Sequence, residues 1–414
     1  MGSALFTGVT GLLVHQRRLD VIANNIANVN TTGFRGGRAQ FQDLFSQTLE
    51  GARGPAAGFG GTNPVQVGLG VSLGSIDTDF TQAALITTGV ASDLAIQGSG
   101  FFILSDGQIL TYTRDGAFAV NANGELVDPS TGLFVQGFLA DPTGAIDPNQ
   151  PIQNIVIPLG GVSIVQATTN TVFTGNLSAD AAIGDTAVLS MRVFDSLGTA
   201  RDLTLTFTKS ATTNEWDWTI TTTDPDISSI TGSGTVTFDT DGSVLAGGTG
   251  TVTVNFAAGI PAAPTTPLVF TADFTQLTQL AGDTDATFFS QDGYPRGVLE
   301  SFAFGRDGVI SGVFTNGLTQ VLGQIAMASF PNEGGLVRVG SNQFQESVNS
   351  GIAQIGIPNT GGRGTVSGGV LETSNVDLSR EFSNLIVTQR GFQANARTIT
   401  AADTLLQETV NLIR

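Results

Sequence analysis

SNVDLSREFSNLIVTQRGFQANARTITAADTLLQETVNL, residues 374–412, decides how this chain is built. Leu378, Leu385, Phe392, Ile399, Leu406 and, just past the quoted stretch, Ile413 recur every seventh residue. Phe382, Gln389, Ala396, Asp403 and Val410 fill the companion positions. An apolar row of that period is the a/d seam of a helix that packs lengthwise on others. Ser374 or Asn375 is placed to cap its start, because a short polar side chain accepts a bond from an orphan backbone N–H.

The opposite end repeats the pattern. Leu5, Leu12, Leu19 and Ile26 are spaced by seven, with Val9, Gln16 and Ala23 as companions. All fourteen prolines lie between Pro55 and Pro358. Both ends are therefore free to carry unbroken helix, where an interior proline costs about 3 kcal/mol. The first helix should fade over Asn28–Gly33, where Asn, Thr and Gly dominate. Two narrow stripes on one chain predict a coiled-coil-like inner domain made of 1–33 and 371–414. The plainer alternative is a pair of surface helices on one globular core. Gln16, Gln389 and Asp403 interrupt the seams and suit a junction where many helices meet and register must be fixed. Each end is then incomplete alone and orders as neighbouring copies cover its seam.

Working inward, residues 34–70 are Gly-rich (GARGPAAGFGG) and read as an extended connector. Beyond them the chain reads as β. Asx-Gly pairs at 106–107, 115–116, 123–124, 241–242, 292–293, 307–308 and 316–317 punctuate short alternating runs such as Leu203–Phe207, and this dipeptide favours hairpin turns. Proline clusters at 142–151 and 261–267 bracket a Thr-rich stretch. The fold class is thus mainly β with long terminal α-helices and nested, discontinuous β domains. One is formed by 71–145 with 287–370, and a second, 146–286, is inserted into it.

Composition narrows the function. The 414 residues suffice for two or three domains. The net charge is −18; residues 1–45 hold +2 and 371–414 hold −1, which leaves −19 for the middle. So acidic a body argues against nucleic acid and against an anionic membrane surface. No apolar run reaches the roughly 18 residues of a spanning helix, so no direct membrane insertion is expected. The N-terminus lacks the charged-then-apolar pattern of a cleaved signal. With no cysteine, neither a disulfide nor a thiol nucleophile exists.

Candidate chemistry is thin, and no catalytic residue, metal site or cofactor is expected. The single histidine, His15, has no second His or Cys to work with and reads as a helix residue. Asp239-Thr-Asp241-Gly242 opens like a calcium loop, but the twelfth loop position is Gly250 rather than an acid, so a hairpin turn is the better reading. The glycine pairs 68/70 and 98/100 open no helix and read as turns or bulges. The acidic pairs Asp77/Asp79 and Asp283/Asp285 sit in turn-rich sequence.

Four blocks carry a family resemblance: RRLDVIANNIANVNTTGFR (17–35), SDLAIQGSGFFIL (92–104), YTRDGAFAVNANGELVDPSTGLFVQGF (112–138) and the C-terminal 374–412. In this order they resemble the rod and hook axial proteins of bacterial flagella. Ala23, Asn24, Asn25, Ile26, Ala27 and Asn28 form the family signature. The added Thr-rich domain, with DSLG at 195–198 and DGYPRG at 292–297, resembles the hook members rather than the shorter distal-rod members. The resemblance implies a non-enzymatic subunit that polymerises with itself into a curved, flexible tube, a universal joint between rod and filament. It implies an extracellular place in the flagellum, reached through the flagellar type III export apparatus. It also implies contacts with the distal-rod protein, hook cap, hook–filament junction protein and hook-length ruler. Phe41 and Phe45 match its export-gate spacing. The alternatives are a distal-rod subunit and, from another class, a secreted β-rich enzyme or adhesin.

Overall fold

The computed structural model describes residues 2–55, 58, 60–141, 144–158, 163–257, 264 and 266–412. Helix α1 runs Gly2–Ala27 and helix α2 runs Leu378–Leu412, with strands between them. The chain divides into two compact units. The first comprises Met1–Ile157, Ala303–Ser311 and Val321–Arg414; the second comprises Pro158–Phe302 and Gly312–Gln320.

The first unit contains both helices and the first β module together. Its central strands run in the order Phe134–Leu139, Phe101–Ser105, Leu110–Thr113, Gln343–Gln345, Val337–Gly340. Phe101, Ile103, Tyr112, Phe138, Phe330 and Phe344 form its core. Their rings meet edge to face, as Tyr112 and Phe330 do at 4.8 Å, the arrangement ring quadrupoles favour. Residues 146–157 belong here rather than to the inserted domain, because Gln153–Asn154 pairs with the Phe134–Leu139 strand and Ile155 and Ile157 are buried.

Residues 34–70 are more ordered than their composition suggests. Strand β1 (Gly37–Asp43) pairs antiparallel with β4 (Val71–Thr78), and between them β2 (Ser46–Glu50) pairs with β3 (Val65–Gly68). Beyond β2 and β3, Arg53 and Thr62 bridge antiparallel, and these pairings supply the backbone partners that a bare connector would lack. Every residue of β2 and β3 is exposed.

The second unit is a sandwich of two five-stranded sheets. One is ordered Thr186–Phe194, Ala200–Lys209, Glu215–Thr221, Ser233–Phe238, Val244–Ala246; the other Ile227–Thr231, Thr249–Phe256, Leu268–Thr278, Asn170–Asn176, Thr287–Gln291. Ala187, Leu189, Met191 and Val193 alternate inward against Phe207, Trp218 and Phe274, while Thr204, Thr206 and Thr208 take the other face of their strand. Residues 287–302 belong to this unit, because Thr287–Gln291 pairs with Asn170–Asn176. Asp239-Thr-Asp241-Gly242 is a hairpin turn, with Asp239 N–H donating to Ser243 O at 2.8 Å and Gly242 at φ 83°.

Candidate assembly interface

Gly8 of α1 lies against Ile399 of α2, Gly11 against Asn395, and His15 against Gly391. Rising numbers on one helix meet falling numbers on the other, so the pair is antiparallel. The approach is close because three glycines lie on it. A Cβ on Gly8 would stand 2.8 Å from Ile399 Cγ1, and one on Gly11 2.8 Å from Asn395 Nδ2. Thr388 and Ala402 are buried on the same side of α2. The contact line is thus made of small and polar residues.

The heptad rows meet this line at Ile399, which packs on Gly8, but otherwise run beside it. On α2, Thr388, Asn395 and Ala402 each precede a companion position by one residue, a rotation of about 100°. Leu385, Ile399 and Leu406 are half-buried, while Leu378, Phe382, Phe392 and Val410 are exposed, Phe382 by 51% and Val410 by 62%. On α1, Leu5, Leu12, Leu19 and Ile26 are half-buried and Val9 is exposed. Val14 and Ile22, outside the predicted set, are the buried apolar residues there. Ile413 lies outside the described residues. Single chains therefore pair the helices but leave much of each apolar row open. Hydropathy periodicity missed the contact line because Gly, Asn and Thr carry no apolar signal.

The root of the pair explains the asparagine-rich signature. Buried Asn25 grips Gly37 with both amide atoms, donating to its carbonyl at 2.8 Å and accepting from its N–H at 2.9 Å. Asn28 closes the helix by donating to Asn24 O at 2.9 Å. Ala23, Asn24 and Ala27 face solvent. From the segment leading back into α2, Asn375 accepts from Gly36 N–H at 2.7 Å and donates to Asp79 O at 2.7 Å. The helix cap predicted at Ser374 or Asn375 is Asp377, whose Oδ1 accepts from Ser379 N–H at 2.8 Å. Asn375 is already engaged in this clamp.

Beneath the clamp, Arg35 donates to Glu372 Oε2 at 2.7 Å with both side chains fully buried, and Arg114 approaches the same oxygen at 3.5 Å. Glu372 Oε1 accepts from Ala83 N–H at 2.9 Å. Arg35 reaches Thr81 O at 3.0 Å, and Arg114 reaches Gly98 O at 2.8 Å. Burial, reinforced by Arg35, pushes the Arg114 guanidinium down to about 10, against the pull of Glu372, so it stays charged at neutral pH. One carboxylate thus joins the outgoing end, the returning end and the β module. Arg35 and Arg114 stand inside the quoted blocks, yet only their convergence in space marks them. Phe41 of β1 packs on α1, whereas Phe45 is 89% exposed. Asp77 pairs with Arg38, and Asp79 Oδ1 accepts from Thr81 N–H at 2.9 Å.

A chain whose ends return to one root, with β modules between them and open apolar rows along the paired helices, is an axial structural subunit. Family models match along its length: "Flagella basal body rod protein" over 5–35, "Flagellar hook protein FlgE/F/G D1 domain" over 95–174, "Flagellar basal body protein FlaE D2 domain" over 166–294 and "Flagellar basal body rod FlgEFG protein C-terminal" over 367–412. The flagellar hook protein FlgE of Treponema pallidum is 40% identical, covering the whole of both chains. That of Escherichia coli is 35% identical over 99% of this chain and 100% of its own. The flagellar basal-body rod protein FlgG of Bacillus subtilis is 31% identical over 99% of each. A crystal structure of Helicobacter pylori FlgE2 shares the fold with a TM-score of 0.50 at 16% identity, covering 70% of this chain and 100% of that one. The chain belongs to the flagellar hook protein family.

Proposed function

We propose that this chain, a structural subunit of the flagellar hook and not an enzyme, builds a curved, flexible tube with copies of itself, a universal joint passing torque from rod to filament. One observation carries the seam assignment: Leu378, Phe382, Phe392 and Val410 of α2 and Val9 of α1 remain exposed in the single chain although the helices already pair. Neighbouring helices cover Leu378, Phe382, Phe392 and Val410 on α2 and Val9 on α1. The half-buried Leu5, Leu12, Leu19, Ile26, Leu385, Ile399 and Leu406 flank that contact. The exposed β2–β3 hairpin bridges to another copy, since a lone two-stranded hairpin is marginal in water.

In this reading the subunit leaves the cell through the type III apparatus without a cleaved leader, with Phe41 and Phe45 as its export-gate motif. Distal-rod protein, cap, junction protein and length ruler are its partners beyond itself. No helix among the described residues is long and apolar enough to cross a membrane. Electron microscopy of the purified full-length chain and of a variant lacking residues 1–30 tests the proposal. Curved tubes from the first and none from the second are expected. Normal tubes without the N-terminal helix would refute it, and straight tubes from the full chain would favour a rod subunit.

A further inference from the structure

His15 is the chain's single histidine, and it touches three elements at once. It rises from α1, lies over Gly391 of α2 where a Cβ would come within 2.6 Å of its Cε1, and meets the Phe41 ring of β1 edge to face at 5.5 Å. Its Nδ1 is buried with no hydrogen-bond partner. Arg18, one turn along α1, stacks its guanidinium over the same Phe41 ring at 5.7 Å. The charged groups carried by the surrounding elements are Arg17, Arg18 and Asp20 on α1, Arg390 beside Gly391 on α2 with Arg380, Glu381, Arg397, Asp403 and Glu408 farther along that helix, and Arg38, Asp43 and Asp77 on the β1–β4 ribbon. Arg17 pairs with Asp20 and Arg38 with Asp77.

We propose that His15 is an acid-sensitive latch: its neutral ring fastens the β1–β4 ribbon to the helix pair, and its protonation loosens that contact. A proton on Nδ1 would create a buried N–H without an acceptor and place a second cation beside Arg18. Neither Gly391 nor Phe41 offers the ring an anionic side chain. Burial first, and Arg18 second, hold the imidazole below its usual value of 6.5. A group whose folded value is lowered binds fewer protons folded than unfolded. Its contribution is therefore complete above about pH 6.5 and fades as pH falls toward the lowered value. The latch is thus closed at neutral pH and opens in acid.

With one histidine in the chain, the imidazole Cε1–H resonance of the full-length protein reports this ring alone. Its titration midpoint is expected below 6.5, and a midpoint at or above 6.5 overturns the proposal. Hydrogen exchange of β1 and α1, corrected for the intrinsic pH dependence, should show opening that rises by up to about tenfold per pH unit between 6.5 and that midpoint. Strands Thr186–Phe194 and Ala200–Lys209 serve as the internal reference. His15→Gln and His15→Phe cannot take up the proton and should abolish that rise. If either variant folds and keeps the wild-type pH response, His15 is not the latch; if neither folds, the resonance of the wild-type chain still decides.

Discussion

At the residue scale, the root cluster sets two buried arginines on one buried glutamate. Removing one partner of such a group leaves charge stranded in a dry site, at a cost of about 3–5 kcal/mol. Glu372→Gln should lower the stability of the first unit by that amount. Both tryptophans, Trp216 and Trp218, lie in the second unit. Circular dichroism should therefore show an earlier urea transition while tryptophan fluorescence keeps its midpoint. Arg192→Ala, which breaks the exposed pair with Asp202 at 2.8 Å, should move neither. Equal shifts in the two variants would show that the cluster does not anchor the root. Nothing in the local sequence separates Arg35 or Arg114 from any other arginine. The partners of Glu372 lie 337 residues away for Arg35, a convergence that only the completed fold creates.

At the element scale, each helix carries an apolar row and a contact line of small and polar residues, and only the row was legible in the sequence. The sevenfold rows of Leu, Ile, Phe and Val announced both helices and their rough length. They run beside most of the intrachain contact and touch it at Ile399, because Gly8, Gly11, Gly391, Asn395 and Thr388 fill the rest with atoms that hydropathy does not weigh. Gly11→Ala separates the two effects. Alanine favours helix by about 1 kcal/mol over glycine, yet its methyl would stand 2.8 Å from Asn395 Nδ2. The variant should loosen the pair, read as faster hydrogen exchange across α2; slower exchange would mean propensity outweighs the close approach. Phe382→Ser with Phe392→Ser tests the other face. Both rings are exposed in the single chain, so the monomer's thermal midpoint should hold. Each lost ring burial in the polymer is worth about 1.5–3 kcal/mol, which raises the critical concentration about 10- to 100-fold per ring. An unchanged critical concentration would place these rings outside the assembly contact.

At the scale of the whole molecule, chain order explains the nesting. The ends meet at one root, held by Asn25, Asn375 and Glu372, so everything between them must leave and return. That consequence was readable from the paired end patterns and the Asx-Gly punctuation. The divisions were not. Residues 287–302 joined the second unit through a strand partner far back along the chain, whereas 146–157 and 34–70 took their strand partners from neighbouring segments. Composition records where turns fall, while pairing decides which side of a turn a segment joins.

In the proposed assembly, neighbouring copies close the exposed parts of the apolar rows on the paired helices. The chain has no cysteine, so a single Val410→Cys or Phe382→Cys substitution gives one addressable thiol on a row. Maleimide labelling of that thiol, timed in the monomer and in assembled tubes, is the direct measurement. Labelling at least about tenfold slower in tubes, the mark of a side chain taken out of water, is the predicted result, and equal rates in the two states would contradict it.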